Sequence, residues 1–360
     1  MNPEQLPLPE AYHGGINFAE LAAMGIDPDK VIDFSSNILP DGPSPWVREA
    51  LSKARIDRYP DRESGELVGV ISRVYGLDAN RVMIGNGCSE LIHLVASAFL
   101  NRNAYALVLG PTFSEYERVC KLQGCQATEL RSDPSEQFLV SPSSVLQALE
   151  ENKPELVWLC NPNNPTGRSI QPTHLLHWLD RFPRTLFVID ESYIEFTESL
   201  STVIHADRPN LIVLRSLTKL HAIAGLRLGF AVADKELINK MRTHRIAWSV
   251  NAMAQVAGAA ALQDTDYYQT ALLRLLAEKK RLVASLSQMG FLSVPSDTCF
   301  FLLQVGDSNN IRQKLLKRGL LVRSCDSFAL SDFVRISVRT QPENDQLIDA
   351  LVQLRDAGQK

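Results

Sequence analysis

The six cysteines of this 360-residue chain form no CxxC pair, its seven histidines form no HExxH motif, and no apolar run is long enough to cross a bilayer. Each absence excludes a class of protein. Scattered as Cys88, Cys120, Cys125, Cys160, Cys299 and Cys325, the thiols match no disulfide framework, and reduced cysteines in a cytoplasmic protein are expected. Without a Cys/His cluster, no metal centre is expected. The most apolar stretch, "LIVLRSLTKLHAIAGLRLGF", is interrupted by Arg215, Lys219, His221 and Arg227, which argues against a transmembrane helix. Charge of one sign is also lacking: 37 basic against 41 acidic residues leave a formal net charge of -4, which gives no footprint for nucleic acid or an anionic membrane. The opening "MNPEQLPLPEAYHGG" has neither a basic n-region nor an apolar h-region, so no secretory signal is expected there.

What remains is ordinary globular composition, 45% hydrophobic and 22% charged, at a length that suits one large domain and a smaller one. Short apolar runs bounded by turns recur at 81–84, 106–109, 156–159, 186–189, 211–214 and 228–232. Several are apolar throughout, as strands covered on both faces must be. Helical patterns separate them; in 89–100, Ile92, Val95, Ala96 and Phe99 share one stripe. The alternation predicts an α/β domain on a largely parallel sheet. From about Asn251 the texture changes: one long helical stretch toward Ser287, strand-like "FFLLQV", helical "NIRQKLLKRG", strand-like "LLVRS" and "FVRISV", and a last helix from Glu343. This reads as a large domain over 45–250 and a smaller α+β unit of 251–360 joined by the segment 1–44.

Four motifs fall where strands should end, the edge at which parallel sheets gather ligands. "GNGCSEL" follows a strand and opens a helix, so the amides of Gly87, Cys88 and Ser89 would face an anion; taken alone, the motif is explained slightly better by a plain Gly-rich strand–helix turn. "VIDESY" ends a buried strand in Asp190, a carboxylate that needs a cationic partner, although a helix cap would also use it. "NPNNPTG", Asn161–Gly167, suits a rigid polar loop facing a ligand. In "SLTKLHAIAGLRLGF", apolar surroundings disfavour the ammonium form of Lys219 and make it an amine nucleophile, while Ser216, Thr218 and Arg227 suit a phosphate. An aldehyde with a phosphate tail and a ring nitrogen wanting an acid is pyridoxal phosphate. A snorkelling surface lysine would explain none of the other three motifs.

On "NPNNPTG", "IDESYIEF" and "SLTKLHAIAGLRLGF" the chain resembles the fold-type I pyridoxal-phosphate enzymes, in the branch that holds histidinol-phosphate aminotransferase and threonine-phosphate decarboxylase. The resemblance implies an aspartate-aminotransferase-like large domain with a mostly parallel central sheet, plus a smaller α+β domain. It makes Lys219 the lysine that bears the cofactor and Asp190 the partner of the ring nitrogen. Asn164 and Tyr193 would bond the 3-hydroxyl oxygen, and Phe113 would stack on the ring. Gly87, Cys88, Ser89, Ser216, Thr218 and Arg227 would cradle the phosphate. Tyr59 would reach that phosphate from a neighbouring subunit, implying a homodimer with shared active sites. Arg335 would bind the substrate carboxylate and Arg323 a second polar or anionic end; a surface salt bridge is the plainer explanation of either. His13 and Asn37 belong to the segment expected to cover the substrate.

The expected enzyme acts at the Cα of a small polar L-amino acid. Aminotransferase-type Cα–H deprotonation is the leading expectation. Phosphothreonine-type decarboxylation, β- or γ-elimination with cyclisation, and a non-catalytic regulator that binds the cofactor are the alternatives. "HGG", "SLTK", "AWSVNAMA" and Arg339 resemble the decarboxylase, and Tyr193 the aminotransferase. Leu39, Asp41, Ser192 and Cys299 depart from both patterns. Asp41 is either a solvated turn acid or a receptor for a basic substrate side chain.

Overall fold

A computed structural model describes residues 14–358. A two-residue strand, β1 (Ile32–Asp33), precedes seven strands of a central sheet: β2 (Val82–Gly85), β3 (Tyr105–Gly110), β4 (Gln126–Arg131), β5 (Leu156–Cys160), β6 (Leu186–Asp190), β7 (Leu211–Ser216) and β8 (Gly229–Ala233). The C-terminal region adds β9 (Phe300–Gln304), β10 (Leu320–Leu321), β11 (Arg323–Ser324) and β12 (Phe333–Ser337). The central order is β2-β8-β7-β6-β5-β3-β4, parallel from β7 to β4, with β8 antiparallel to both of its neighbours. The fold is therefore α/β with a mostly parallel sheet, as the apolar runs led one to expect.

Alternate residues of each inner strand feed two separate cores, which is why those strands read as continuously apolar. Val157, Leu159, Phe187 and Ile189 enter the larger core, while Leu156, Trp158, Leu186 and Val188 enter the one on the opposite face. β4 escaped the sequence reading for the converse reason. It pairs on one side only, and its "QATELR" side chains are exposed or half-buried, so no apolar run marks it.

Beyond Asn251 the structure corrects expectations of element boundaries. The long helical stretch is two helices, Ala252–Gln263 and Thr265–Gln288, because Asp264 leaves helical geometry between them. The first packs on Pro45–Ser52 and Gly65–Tyr75, and Ala254, Ala257 and Leu262 join the larger core. The stretch "LLVRS" is likewise two short strands: β10 pairs in parallel with β1, while β11 joins β12 and β9 in one antiparallel sheet, and the last helix begins at Gln341. Among the described residues, no helix is long and apolar enough to cross a membrane.

Candidate active site

Because β8 is antiparallel to both β2 and β7, those two point the same way, and the C-terminal ends of β2, β3, β5, β6 and β7 share one edge. β8 starts at that same edge with Gly229, two residues after Arg227. Sequence-distant motifs are thereby brought to one pocket, as expected at the carboxyl edge of such a sheet. Cys88, Ser89, Ser216, Thr218 and Arg227 line one end of it, and Phe113, Asn164, Asp190, Tyr193 and Lys219 the rest.

One end is built for an anion. The helix Gly87–Phe99 opens there without a side-chain cap among the described residues, so its first amides have no side-chain acceptor. Gly87 sits at φ 75°, and a Cβ on it would stand 2.7 Å from a guanidinium nitrogen of Arg227; only glycine lets that side chain lie so close. Arg227 itself is held at φ 59°, a left-handed conformation that costs a non-glycine residue about 1–2 kcal/mol. The Ser216 and Thr218 hydroxyls lie 2.7 Å apart beside it. Strain of this kind gathers at functional positions.

At the other end Asp190 terminates β6 and is buried, which pushes its carboxyl above the usual range; bonds from Ser192 and Tyr116 pull the other way. Tyr116 donates to its Oδ2 at 2.8 Å, and the Ser192 amide to Oδ1 at 2.9 Å. Lys219 is brought below the usual lysine range by burial first and the Arg227 charge second. Its Nζ lies 5.9 Å from the centre of the Tyr193 ring. The Tyr193 hydroxyl accepts from Asn37 Nδ2 at 3.2 Å, and burial raises its pKa, so it keeps its proton.

Arg335, on β12, is buried and donates to Asn164 Oδ1 and to the Ser35 carbonyl. Of these partners Asn164 lines the pocket, and Ser35 lines a cleft of about 870 Å³ together with Gly14, Ser114 and Arg323. Gly14 closes over it: a Cβ there would meet the Ser35 carbonyl at 2.3 Å and Arg335 at 3.1 Å. Arg323 stands directly opposite Arg335 in the β11–β12 pair. Burial and the Arg335 charge lower the Arg323 pKa to about 10.

The motif residues divide more finely than their sequence suggests. Of the three asparagines in "NPNNPTG", Asn161 bonds the backbone of Ile170 at both amide and carbonyl, and Asn163 ties Pro111, Thr112 and Thr166 together. Only Asn164 lines the pocket. Glu191 turns away to the buried Arg215, 3.4 Å off. Tyr59 is 77% exposed and stacks on Trp248 at 4.6 Å, away from this chain's own pocket. His13 lies outside the described residues. Asp41 bonds Arg274 at 2.5 Å and lines neither the pocket nor the cleft. Leu39 is a core residue whose amide donates to the Lys219 carbonyl. Cys299 is buried with burial pushing its thiol up to about 12, an inert protonated sulfur. Tyr116 was the residue sequence reasoning missed; its position one helical turn after Phe113 was the available signal.

Residues 29–351 match the model of the aminotransferase class I and II family. The chain belongs to that family. It is 31% identical to histidinol-phosphate aminotransferase 1 of Bacillus cereus, over 98% of this chain and 96% of that protein. It is 33% identical, over 95% of its length, to the adenosylcobalamin biosynthesis bifunctional protein CobDQ of Leptospira interrogans, and spans 41% of that longer protein. The crystal structure of L-threonine-O-3-phosphate decarboxylase from Porphyromonas gingivalis is 27% identical, with a TM-score of 0.79 over 90% of this chain and 99% of that one. The chain is thus a fold-type I enzyme that depends on pyridoxal phosphate. The pocket fits that cofactor: it combines helix amides, hydroxyls and the Arg227 cation with a buried carboxylate and a lysine of depressed pKa.

Proposed function

We propose that this enzyme acts at the Cα of a small L-amino acid bearing a second anionic group, a phosphate ester foremost, and that it releases the α-carboxylate as carbon dioxide. The observation that carries this reading is Arg323 directly opposite Arg335. Two guanidiniums on facing positions suit a ligand with two anionic ends. L-Threonine O-3-phosphate has a carboxylate and a phosphate; histidinol phosphate has no carboxylate.

Pyridoxal phosphate, when bound, supplies an aldehyde for the substrate amine and a ring that accepts the electron pair released at Cα. Lys219 would carry it, and its lowered proton affinity favours the free amine that this needs. Asp190 would keep the ring nitrogen protonated. Asn164 and Tyr193 would bond the 3-hydroxyl oxygen, and Phe113 would cover one ring face. The first-turn amides of Gly87, Cys88 and Ser89, with Ser216, Thr218 and Arg227, would hold the phosphate. Arg335 orients the carboxylate by paired bonds, and Arg323 takes the second anion. Tyr59 and Trp248, stacked and exposed near Ile56 and Ile246, form part of a surface against a second copy, from which Tyr59 reaches the neighbour's phosphate.

Transamination is the second reading, favoured by Lys219 itself: a neutral amine beside Cα can move the Cα proton. A basic substrate side chain has no support from Asp41, which Arg274 already holds. The test is incubation of the holoenzyme with L-threonine O-3-phosphate, histidinol phosphate and unphosphorylated amino acids, followed by product mass. Loss of carbon dioxide from the phosphorylated amino acid is expected. Amino-group exchange without that loss would replace the first reading by the second, and turnover confined to unphosphorylated substrates would refute the assignment of Arg323.

A further inference from the structure

Ser192 follows Asp190 by two positions and does more than continue the chain. Its amide and its hydroxyl both donate to Asp190 Oδ1, at 2.9 and 2.5 Å. On the other oxygen, Oδ2, the Tyr116 hydroxyl donates at 2.8 Å. The Tyr116 ring is fully buried and fixed by stacking on Trp158, with centroids 5.3 Å apart and planes 9° from parallel, so this donor has little freedom to move away. An ionised carboxylate offers about four acceptor positions. Three are taken by donors among the described residues, two on Oδ1 and one on Oδ2.

The Ser192 oxygen also lies 3.4 Å from the Cys88 sulfur, in the first turn of the helix that forms the anion cradle. A hydroxyl has one proton, and the 2.5 Å contact to a carboxylate is the stronger claim on it. The Cys88 thiol, pushed up to about 12 by burial first and the Asp190 charge second, keeps its own proton, and its sulfur is the second acceptor within reach of the Ser192 hydroxyl. The order is therefore cradle thiol, serine hydroxyl, ring-side carboxylate.

We propose that Ser192 is a positioning residue for Asp190: with Tyr116 it fixes the carboxylate so that a single acceptor position, on Oδ2, remains for the protonated ring nitrogen, and through Cys88 it ties that position to the phosphate cradle. The proposal rests on the reading of Asp190 as the ring-nitrogen partner. A donor bonded to the charged form also favours ionisation, so Ser192 offsets part of what burial does to Asp190. The sign follows. Removing the hydroxyl raises the Asp190 pKa, so the carboxylate is neutralised at higher pH as the solution is acidified, and cofactor is lost there sooner.

The test measures the dissociation constant of pyridoxal phosphate against pH, by its absorbance, for wild type, Ser192→Ala, Ser192→Thr, Tyr116→Phe and Asp190→Asn. Losing one charge-assisted bond weakens binding about tenfold. Ser192→Ala and Tyr116→Phe are expected to weaken binding by that order and to move the acid limb of the profile upward, while Ser192→Thr, which keeps the hydroxyl, stays near wild type. A side chain that only packs would leave the limb in place. An unmoved limb in Ser192→Ala, or a threonine variant that behaves like the alanine one, overturns the proposal. If Asp190→Asn binds the cofactor as wild type does, the reading of Asp190 fails instead, whatever the serine variants do.

Discussion

Arg323→Met separates a residue kept for a ligand from one kept for the fold. Burial first and the facing Arg335 second bring the Arg323 guanidinium down to about 10, which disfavours its charged form. Arg323 also donates to the Ser327 hydroxyl at 2.6 Å and lies over the Phe328 ring, 5.5 Å from its centre. Methionine keeps most of the apolar packing and removes the charge. The unfolding free energy of the substrate-free variant, read from the denaturant midpoint and slope, separates a folding defect from a lost ligand contact. Affinity for a phosphorylated amino acid is expected to fall tenfold or more, since one charge-assisted pair contributes about 1.5–3 kcal/mol. A variant that is less stable and binds the phosphorylated ligand as wild type does would refute the argument: Arg323 would then be a structural cation.

Other outcomes follow from single contacts. Arg215 is buried between Glu191 and Glu195, at 3.4 and 2.5 Å. Arg215→Met leaves both carboxylates buried without it and is expected to cost about 3–5 kcal/mol, measured by denaturant unfolding; a loss below 1 kcal/mol would show the network to be dispensable. Tyr59→Phe is expected to speed cofactor release from the assembled enzyme without changing the monomer's unfolding, because the side chain is exposed in one chain; unchanged release would remove Tyr59 from the site. Asp190→Asn is expected to leave the cofactor-free protein at least as stable at pH 7. The raised pKa means that the folded state holds the Asp190 proton more tightly than the unfolded state, a contribution present below about 3.8 and lost as pH rises through the folded value. A destabilised apo variant would contradict that sign.

The cofactor pocket was legible because its residues sit at strand ends, and buried strands announce themselves as apolar runs. "LVWLC", "LFVID" and "LIVLRS" each end where a pocket side chain begins. What escaped the sequence depends on the third dimension. β4 shows no run because only one side of it is paired. Tyr116 lies far from Asp190 in sequence, and nothing local in either motif links them. Asn161 and Asn163 have the same chemistry as Asn164, and only the loop's fold decides which of the three faces the pocket. Asp41 illustrates the opposite failure: a departure that invited a substrate role finds its cation in Arg274 on a distant helix. Substrate choice was the least legible feature, since the opposition of Arg323 and Arg335 is a matter of strand register.

Borohydride reduction of the holoenzyme, followed by peptide mass spectrometry, tests the central claim most directly. The expected result is a pyridoxyl group fixed on Lys219 alone, with Lys219→Ala taking up none. Modification of another lysine, or an unchanged visible spectrum in Lys219→Ala, would contradict the assignment of the site.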